Sequence, residues 1–399
     1  MRNGTPGFQA ARLVEARESR GLSQVALADL IDRTPSSISR WEARGQSPEP
    51  QTLSTLANSL NVPQSFFLNP PPEHGNAPMF FRSMASTTQM MRKRARARLR
   101  WAQDISLSLQ EWVDLPEVDV PRLDIEDYRE ISDKDIETAA AKCRDVWGLG
   151  SGPISDLLLV LENAGIVIVK DEVGTVKMDG LSNWSAADGR PYMLIARDKD
   201  SCVRSRLDAA HELGHLVLHH KVPTKALNDK AAFKEIERQA FLFAGAFLMP
   251  AESFGAEIWS PSLSTFLALK ERWRTAIGAM IKRCEALDMI GEEYRRRLWR
   301  YYSARGWRKS EPMDDDLLVE EPRLLSRSVR LLVDEGVQTR ANLLEEFRLF
   351  AGDVETLCDL PSGYMSGGDG DVVQMPKLKR TDTAQTGGGG SVLPFNRRH

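Results

Sequence analysis

Apolar residues recur at helical spacing in the first part of the chain, and polar turns divide them into four segments. The predicted helices cover residues 8–20, 24–31, 35–43 and 53–62. Ser23 is a suitable N-cap for the second helix, and Thr34 followed by Pro35 opens the third. Because a tight turn joins the second and third helices, the pair has helix-turn-helix geometry.

A proline-rich segment, residues 69–78, separates this bundle from a strongly basic helix and marks a domain boundary. From Arg92 to Arg100, six of nine residues are Arg or Lys. Such a run is either a solvated helical face or extra positive charge for a nucleic-acid partner, and both interpretations stay open. Apolar residues from Trp101 to Trp112 give the same helix a surface that can dock on another element.

From about residue 131 the pattern changes to helices mixed with short β-branched runs. Helices are predicted for residues 136–147 and 156–163, and strands for residues 166–169, 180–184 and 192–196. These strands would form a small sheet, and an edge strand of such a sheet can bind an extended peptide through main-chain hydrogen bonds. More helices are predicted within residues 261–308 and 317–360, and a glycine-rich polar tail follows from residue 362.

The composition is that of an ordinary globular protein, with 42% hydrophobic and 27% charged residues. No apolar run reaches the ~18 residues needed to cross a membrane, and the N-terminus lacks a signal-peptide pattern. The four cysteines are widely spaced without a C-x-x-C pair, so we expect reduced thiols in a cytoplasmic protein. These features argue against a secreted digestive enzyme.

His211, Glu212 and His215 form an H-E-x-x-H sequence on a predicted helix with mostly apolar neighbours. Positions i and i+4 share one helix face, so both imidazoles can reach one metal ion. The glutamate beside them can take a proton from a water at the metal. The motif alone also occurs by chance on solvated helices. The apolar flanks favour a buried helix, whose histidines require a partner such as a metal.

A third ligand is available on the next predicted helix, residues 233–248. Glu237 lies 22 residues after His215 (237 − 215 = 22), which leaves room for a loop and a returning helix. Two histidines and a glutamate, with the fourth position left for water, form a catalytic zinc set. Glu235 is the alternative acid. Small residues such as Ala240 would allow this helix to approach the metal helix closely.

Four residues near the motif support weaker hypotheses. Asp208, one turn before His211, either orients a ligand or is a surface aspartate. His219 and His220 are expected to end the helix, with substrate contact as the alternative. Tyr192 is a candidate for stabilising an oxyanion.

Two segments of the N-terminal bundle carry a recognisable pattern: Gly21-Leu22-Ser23-Gln24 with Leu27-Ala28, and Ile38-Ser39-Arg40-Trp41-Glu42. Together they resemble the Cro/C1-type (XRE) helix-turn-helix. The resemblance implies that the third helix enters the major groove of operator DNA, with Ser36, Ser37 and Arg40 nearest the base edges. It also implies a phosphate contact from Gln24.

Two features temper this prediction. Asp32 stands at the turn position usually filled by glycine, where its left-handed conformation costs some energy and its charge can weaken affinity. Residues 1–50 hold seven arginines against six acidic residues, so non-specific DNA affinity should be modest. A helix-turn-helix used only for protein contacts is the alternative.

A second set of motifs runs through residues 131–312. It comprises Trp147-Gly-Leu-Gly, Lys177-Met-Asp-Gly-Leu-Ser, Gly189-Arg-Pro, His211-Glu-Leu-Gly-His, Glu237-x-x-Ala240-x-x-Phe243-Ala, Leu248-Met-Pro250, Leu269-Lys270-x-Arg272-Trp273, Arg283, Gly306-Trp307-Arg308 and Glu311-Pro312. These motifs resemble the ImmA/IrrE metallo-endopeptidase family. The resemblance implies zinc (Zn²⁺) as cofactor, His211, His215 and Glu237 as its ligands, Glu212 as general base, and a transcriptional repressor as typical substrate. Gln239 and Phe241 depart from the family, which often has Glu and Asn there.

We therefore expect a mainly α protein with a small β-sheet (α+β), in which a five-helix-type bundle precedes a zincin-like domain. The division is a helix-turn-helix domain (1–68), a linker with the basic helix (69–130), a metallopeptidase domain (131–312), a helical C-terminal module (313–361) and a disordered tail (362–399).

The expected function is a DNA-binding transcriptional regulator whose zinc endopeptidase cleaves a repressor, another regulatory protein, or itself within residues 69–78. The alternative is a non-proteolytic, metal-containing regulator that senses a ligand or partner. A third option is a toxin–antitoxin or phage regulator that becomes active only on binding another protein. Expected partners are double-stranded operator DNA and a protein substrate, without a membrane, and a homodimer is compatible with this interpretation.

Overall fold

The computed structural model describes residues 4–75, 77–81, 89–172, 179–197 and 201–367. The helices are α1 (Ala10–Ser19), α2 (Gln24–Leu30), α3 (Pro35–Glu42), α4 (Pro50–Leu60), α5 (Gln89–Gln110), α6 (Asp133–Val146), α7 (Leu157–Asn163), α8 (Cys202–Leu218), α9 (Lys230–Leu248), α10 (Ala251–Glu257), α11 (Leu263–Trp273), α12 (Ile277–Ala286), α13 (Glu292–Ala304), α14 (Leu324–Asp334), α15 (Arg340–Phe347) and α16 (Ala351–Leu357). The strands are β1 (Phe80–Phe81), β2 (Val167–Asp171), β3 (Gly180–Trp184) and β4 (Pro191–Ala196). Helices predominate over a small sheet, which confirms the predicted fold class.

The N-terminal bundle consists of α1 to α4 and a short 3-10 helix, Gln64–Leu68. Ser23 accepts a hydrogen bond from the backbone N–H of Ala26 (3.0 Å), as expected of an N-cap. The side chain of Thr34 likewise caps α3. Asp32 adopts the left-handed conformation in the turn between α2 and α3, with φ +52°. Both caps and the strained turn residue therefore agree with the sequence prediction.

The four strands form one sheet in the order β1-β3-β4-β2. Strands β2 and β4 are parallel, whereas β3 is antiparallel to both β4 and β1. Three of these strands were predicted, with β2 and β4 shifted by one or two residues. Strand β1 was not predicted, because it has only two residues and follows the proline-rich linker.

The sheet separates two hydrophobic cores, because alternate side chains of its strands point to opposite faces. On β4, Leu194 belongs to the first core and Ile195 to the second. The first core also contains side chains from the N-terminal bundle, α5 and α14 to α16. The second contains those of α6 to α13. The H-E-x-x-H sequence lies on α8, in the second core.

Helix α5, the predicted basic helix, is a central element of the first core. Trp101 and Ile105 are fully buried there. Arg98 is also buried and forms ion pairs with Asp171 on β2 and Asp353 on α16. Arg20 on the N-terminal bundle binds the same Asp353 (2.6 Å). Part of the positive charge of this helix is therefore neutralised inside the protein, where it joins the bundle, the sheet and the C-terminal helices.

The predicted segments share this first core. It contains residues from all five of them, including Met365 of the predicted tail. The domain boundaries at residues 68, 130, 312 and 361 therefore stay a prediction from the sequence. Residues 362–367 are folded against α16, where Glu355 accepts the backbone N–H groups of Gly363 and Met365. The rest of the predicted disordered tail lies outside the described residues.

All four cysteines are unpaired, as the sequence predicted, and all four are buried. Within the described ranges, none of the helices is long and apolar enough to cross a membrane.

Candidate metal centre and DNA-binding face

Helix α8 lies in the interior, and fifteen of its seventeen residues are buried. Its apolar side chains pack on the sheet on one side and on α9 on the other. At Gly214, a Cβ atom would lie 3.1 Å from the carbonyl oxygen of Ala240 and 3.2 Å from its Cα. Because glycine has no Cβ, the backbones of α8 and α9 approach each other closely at this point. The predicted small residue Ala240 lies at this contact.

This packing brings together the three predicted ligands, which are all buried. The Nε2 atoms of His211 and His215 are 3.0 Å apart. The two carboxylate oxygens of Glu237 lie 3.3 Å from Nε2 of His215 and 3.5 Å from Nε2 of His211. Within the part of the chain that the structure describes, this is the group of His, Cys, Asp and Glu side chains arranged to hold a metal.

The donor atoms of the three side chains lie at separations that suit one metal ion. With metal–ligand distances of about 2.0–2.1 Å, tetrahedral geometry places ligand atoms about 3.3 Å apart. The two Nε2 atoms lie 3.0 Å from each other, and each lies 3.3–3.5 Å from one of the two Glu237 oxygens. Both carboxylate oxygens of Glu237 are buried without a hydrogen-bond partner among the described residues. A buried carboxylate needs compensating positive charge. A cation between the three side chains would supply it, so the residues present fit a metal.

The protonation states of the site suit metal binding as well. Burial lowers the pKa of His215 to about 4, so its imidazole is neutral at neutral pH. Burial by itself raises the pKa of Glu237, but contact with the imidazoles of His211 and His215 lowers the pKa below its usual value, so the carboxylate is ionised. Neutral imidazole and ionised carboxylate are the forms that bind metals.

His219 and Gln239 orient the imidazole of His215, a role that the sequence analysis missed. The side-chain N–H₂ of Gln239 donates to the carbonyl oxygen of Tyr128 (2.8 Å), which turns Oε1 of Gln239 towards Nε2 of His219 (2.9 Å). Nε2 of His219 therefore donates, and its Nδ1 accepts from Nδ1 of His215 (3.0 Å). This order of protons leaves the lone pair on Nε2 of His215 pointing at the metal site.

His219 is fully buried, and burial lowers its pKa well below the usual value, which keeps it neutral. It caps the end of α8, as predicted for a helix-end residue. The sequence signal for its role is its spacing, since His215 and His219 are also an i, i+4 pair on one helix face.

Glu212 points to the sheet rather than to α9. The hydroxyl of Ser182 on β3 donates to its carboxylate (2.7 Å). A Cβ atom on Gly180 would lie 3.1 Å from Cγ of Glu212, so glycine at this position leaves room for the side chain. The carboxylate of Glu212 therefore lies against strand β3, where Ser182 holds it.

The weaker candidates occupy other places. Glu235 is partly exposed and pairs with Arg238 (2.8 Å), away from the three ligand atoms. Asp208 is buried and lines a cavity of about 790 Å³ between α8, α9 and α12. His220 is half-buried at the end of the helix. The hydroxyl of Tyr192 donates to Asp188 (2.6 Å) in the turn before β4, and so points away from the metal site.

The predicted DNA-contacting residues lie on α3 and at the start of α2. Ser36 and Arg40 are exposed, and Ser37 is partly exposed on the same helix. The side chains of Ser36 and Ser37 bind that of Thr34 (2.9 Å each). The amide of Gln24 donates to Glu42 (2.7 Å), so its side chain would have to exchange this partner to reach a phosphate.

Comparison with known families identifies two domains in the chain. Residues 161–285 match the family model of the IrrE N-terminal-like domain, a peptidase family. Residues 13–65 match the helix-turn-helix family model. None of the curated proteins matches the chain. The chain thus combines an XRE-type helix-turn-helix with an IrrE-like metallopeptidase domain, as the resemblance predicted. The three candidate ligands all lie within residues 161–285, the IrrE-like match.

Proposed function

We propose that this protein is a DNA-binding transcriptional regulator whose metallopeptidase-like domain is a zinc-dependent endopeptidase acting on a repressor or another regulatory protein. The observation that carries the proposal is the convergence of the side chains of His211, His215 and Glu237, whose nearest nitrogen and oxygen atoms are 3.0–3.5 Å apart. Glu212 follows His211 directly on the same helix. An XRE-type helix-turn-helix in the same chain supports a target involved in transcription.

His211, His215 and Glu237 would hold the zinc ion, leaving one position open to solvent and substrate. Zinc bound there would polarise a peptide carbonyl and lower the pKa of a water molecule. The hydrogen bonds from Gln239 through His219 would keep His215 in the tautomer that can bind.

Glu212 would act as the general base and then as the general acid. Its carboxylate would take a proton from the attacking water and later transfer it to the nitrogen of the leaving amine. The hydrogen bond from Ser182 (2.7 Å) holds the carboxylate in place. Glu212 does not belong to the proposed ligand set, and a site that only stored metal would not need it.

The DNA-binding domain would bring the peptidase to a promoter. In this proposal Ser36, Ser37 and Arg40 face the base edges in the major groove, and Gln24 contacts a phosphate. A substrate bound at the same promoter would then be cleaved at a high local concentration.

Self-cleavage within residues 69–78 is a variant of this proposal that receives less support. Ala186 donates its backbone N–H to the carbonyl oxygen of His74 (3.0 Å), and Asn183 donates to that of Ala77 (3.0 Å). The described linker residues therefore lie along the far end of β3. The linker would have to shift along the strand to present one of its peptide bonds to Glu212.

The alternative function is a non-proteolytic regulator that uses the metal site to sense a ligand or partner. A Glu212→Gln variant separates the two, because the ligand set stays intact while the base is lost. We expect the zinc-loaded wild type to cleave a mixture of denatured cellular proteins and the variant to fail, at equal zinc content. Equal cleavage, or none by either protein, would contradict the proposed peptidase.

A further inference from the structure

Strand β1 lies where an extended substrate would be expected to bind. Without β1, strand β3 would be the edge of the sheet. Phe80 and Phe81 pair with Ser182 and Leu181 of β3 in antiparallel register. Peptides commonly bind to proteins by adding a strand to a free sheet edge. The chain itself supplies such a strand here, beside the proposed catalytic residues.

The contacts of Phe80 connect this strand directly to the metal site. Its ring stacks on the imidazole of His215, with centroids 4.4 Å apart and the planes tilted by only 4°. Its register partner, Ser182, is the residue that binds Glu212. One residue of β1 therefore touches a proposed ligand and lies opposite the residue that holds the proposed base.

Phe80 also fills an apolar pocket, in which it is 4% exposed. The pocket is lined by Val222, Leu227 and Ile236, which belong to the connection between α8 and α9 and to α9 itself. Because this pocket is formed by the connection between α8 and α9, it is well placed to bind one side chain of a substrate. Its lining is apolar, so a large apolar side chain would fit it best.

Strand β1 pairs with β3 over a short length and is anchored on its upstream side. With two residues, β1 offers little backbone pairing of its own. Upstream, His74 is buried and hydrogen-bonds both Ser185 (3.2 Å) and Asp104 (2.7 Å). Because β1 is covalently attached to this anchored segment, its local concentration at β3 is about a millimolar. A separate peptide has to compete with β1 at that concentration.

We propose that β1 occupies the substrate position of the peptidase, and that the enzyme accepts extended segments with a large apolar side chain in the pocket now filled by Phe80. Such a segment must displace β1 before it is cleaved. This inference rests on the proposed function, since it names the substrate class and the control of the same site.

Peptide binding by the zinc-loaded, full-length protein tests the inference. The Glu212→Gln variant serves as the parent, so that the probe is not consumed. The probe is a fluorescent peptide with the sequence of residues 74–81, and its affinity is measured by anisotropy. Adding Phe80→Ala to the parent should tighten binding at least about tenfold, because removing the competing phenyl ring is worth more than the ~1.4 kcal/mol that corresponds to that factor.

The control for a general effect of losing a phenyl ring is Phe350→Ala, at an exposed position before α16, which should leave binding unchanged. A probe with Ala in place of the Phe that corresponds to Phe80 should bind the Phe80→Ala protein at least about tenfold more weakly. Equal affinity of parent and Phe80→Ala would overturn the displacement of β1. Equal affinity of the two probes would overturn the pocket's preference.

A reversible disulfide between β1 and β3 tests the inference even if Phe80→Ala fails to fold. Phe81 and Leu181 are register partners, so cysteines at both positions are close enough for a disulfide. The oxidised Phe81→Cys/Leu181→Cys protein should lose probe binding and recover it on reduction, and unchanged binding in both states would overturn the inference. Peptidase activity is measured separately with Glu212 intact, so that a peptide-binding protein without cleavage refutes only the proposed function.

Discussion

The close approach of α8 and α9 at Gly214 gives a sharp prediction about what positions the third ligand. Replacing Gly214 by Ala places a methyl group 3.1 Å from the carbonyl oxygen of Ala240 and 3.2 Å from Cδ1 of Phe243. Carbon atoms in contact prefer separations of about 3.5–4.0 Å. Because the atoms of Ala240 belong to the helix backbone, α9 has to move by a few tenths of an ångström.

Two opposing effects set the magnitude. Overpacking of a core costs about 1–3 kcal/mol, whereas replacing a helical Gly by Ala gains about 1 kcal/mol in helix propensity. We therefore expect Gly214→Ala to reduce the free energy of unfolding by up to about 2 kcal/mol. Glu237 lies one turn before Ala240 on the same helix, and metal sites tolerate changes of only about 0.2 Å in ligand distance. Zinc affinity should therefore fall as well.

Gly245→Ala on α9 is the matched control. A Cβ atom there would meet only Cδ of Arg283, at an ordinary 3.7 Å. The same propensity gain applies without the clash, so this variant should be stabilised by up to about 1 kcal/mol with unchanged zinc affinity.

The assays are urea unfolding of the zinc-free proteins and competition with a zinc chelator. The propensity term cancels between the two variants, so their stabilities should differ by about 1–3 kcal/mol, the overpacking cost. If Gly214→Ala matches Gly245→Ala in both stability and zinc affinity, the contact between α8 and α9 does not position Glu237.

Three further predictions concern the orientation of the ligands, the buried ion pairs and the pH dependence of stability. Gln239→Leu should weaken zinc binding by about 10–100-fold, because the hydrogen bonds through His219 that fix the tautomer of His215 are lost. Gln51→Leu, at an exposed position on α4, is the control, and equal zinc affinity of the two variants would exclude the role of His219. Arg98→Met should cost about 3–5 kcal/mol in urea unfolding, because it removes one partner of a buried ion pair, and a loss below about 1 kcal/mol would place that network in the range of surface pairs. Burial raises the pKa of Glu162 to about 7, so the folded state binds more protons than the unfolded state between about pH 4.5 and 7, and this contribution to stability is lost as the pH rises through that window. The melting temperature of Glu162→Gln should therefore fall less than that of the wild type from pH 5 to pH 8, and parallel curves would contradict the shift.

The elements that the sequence predicted well depend on local interactions. The caps at Ser23 and Thr34, the left-handed turn at Asp32 and strand β3 each follow from a few adjacent residues. The H-E-x-x-H spacing is equally local, since it reflects the helical repeat alone. The choice of Glu237 over Glu235 required the family resemblance, because a distance of 22 residues along the chain does not define a distance in space.

The features that were missed depend on contacts between distant segments. The charge of Arg98 is neutralised by Asp353, 255 residues later, which the local run of basic residues cannot indicate. The tautomer of His215 is set through Gln239 on another helix. Strand β1 has two residues without a periodic pattern and exists only because β3 offers an open edge.

The central claim is that Glu212 performs metal-dependent proteolysis of a regulatory protein in the cell. Its most direct test compares the protein fragments of cells that express the wild type with those of cells that express Glu212→Gln, by identifying new N-termini. Our account predicts that a small set of new N-termini, in a repressor or another regulator, appears with the wild type and is absent with the variant. Identical fragments from both, with equal zinc content and an unchanged effect on transcription, would contradict it.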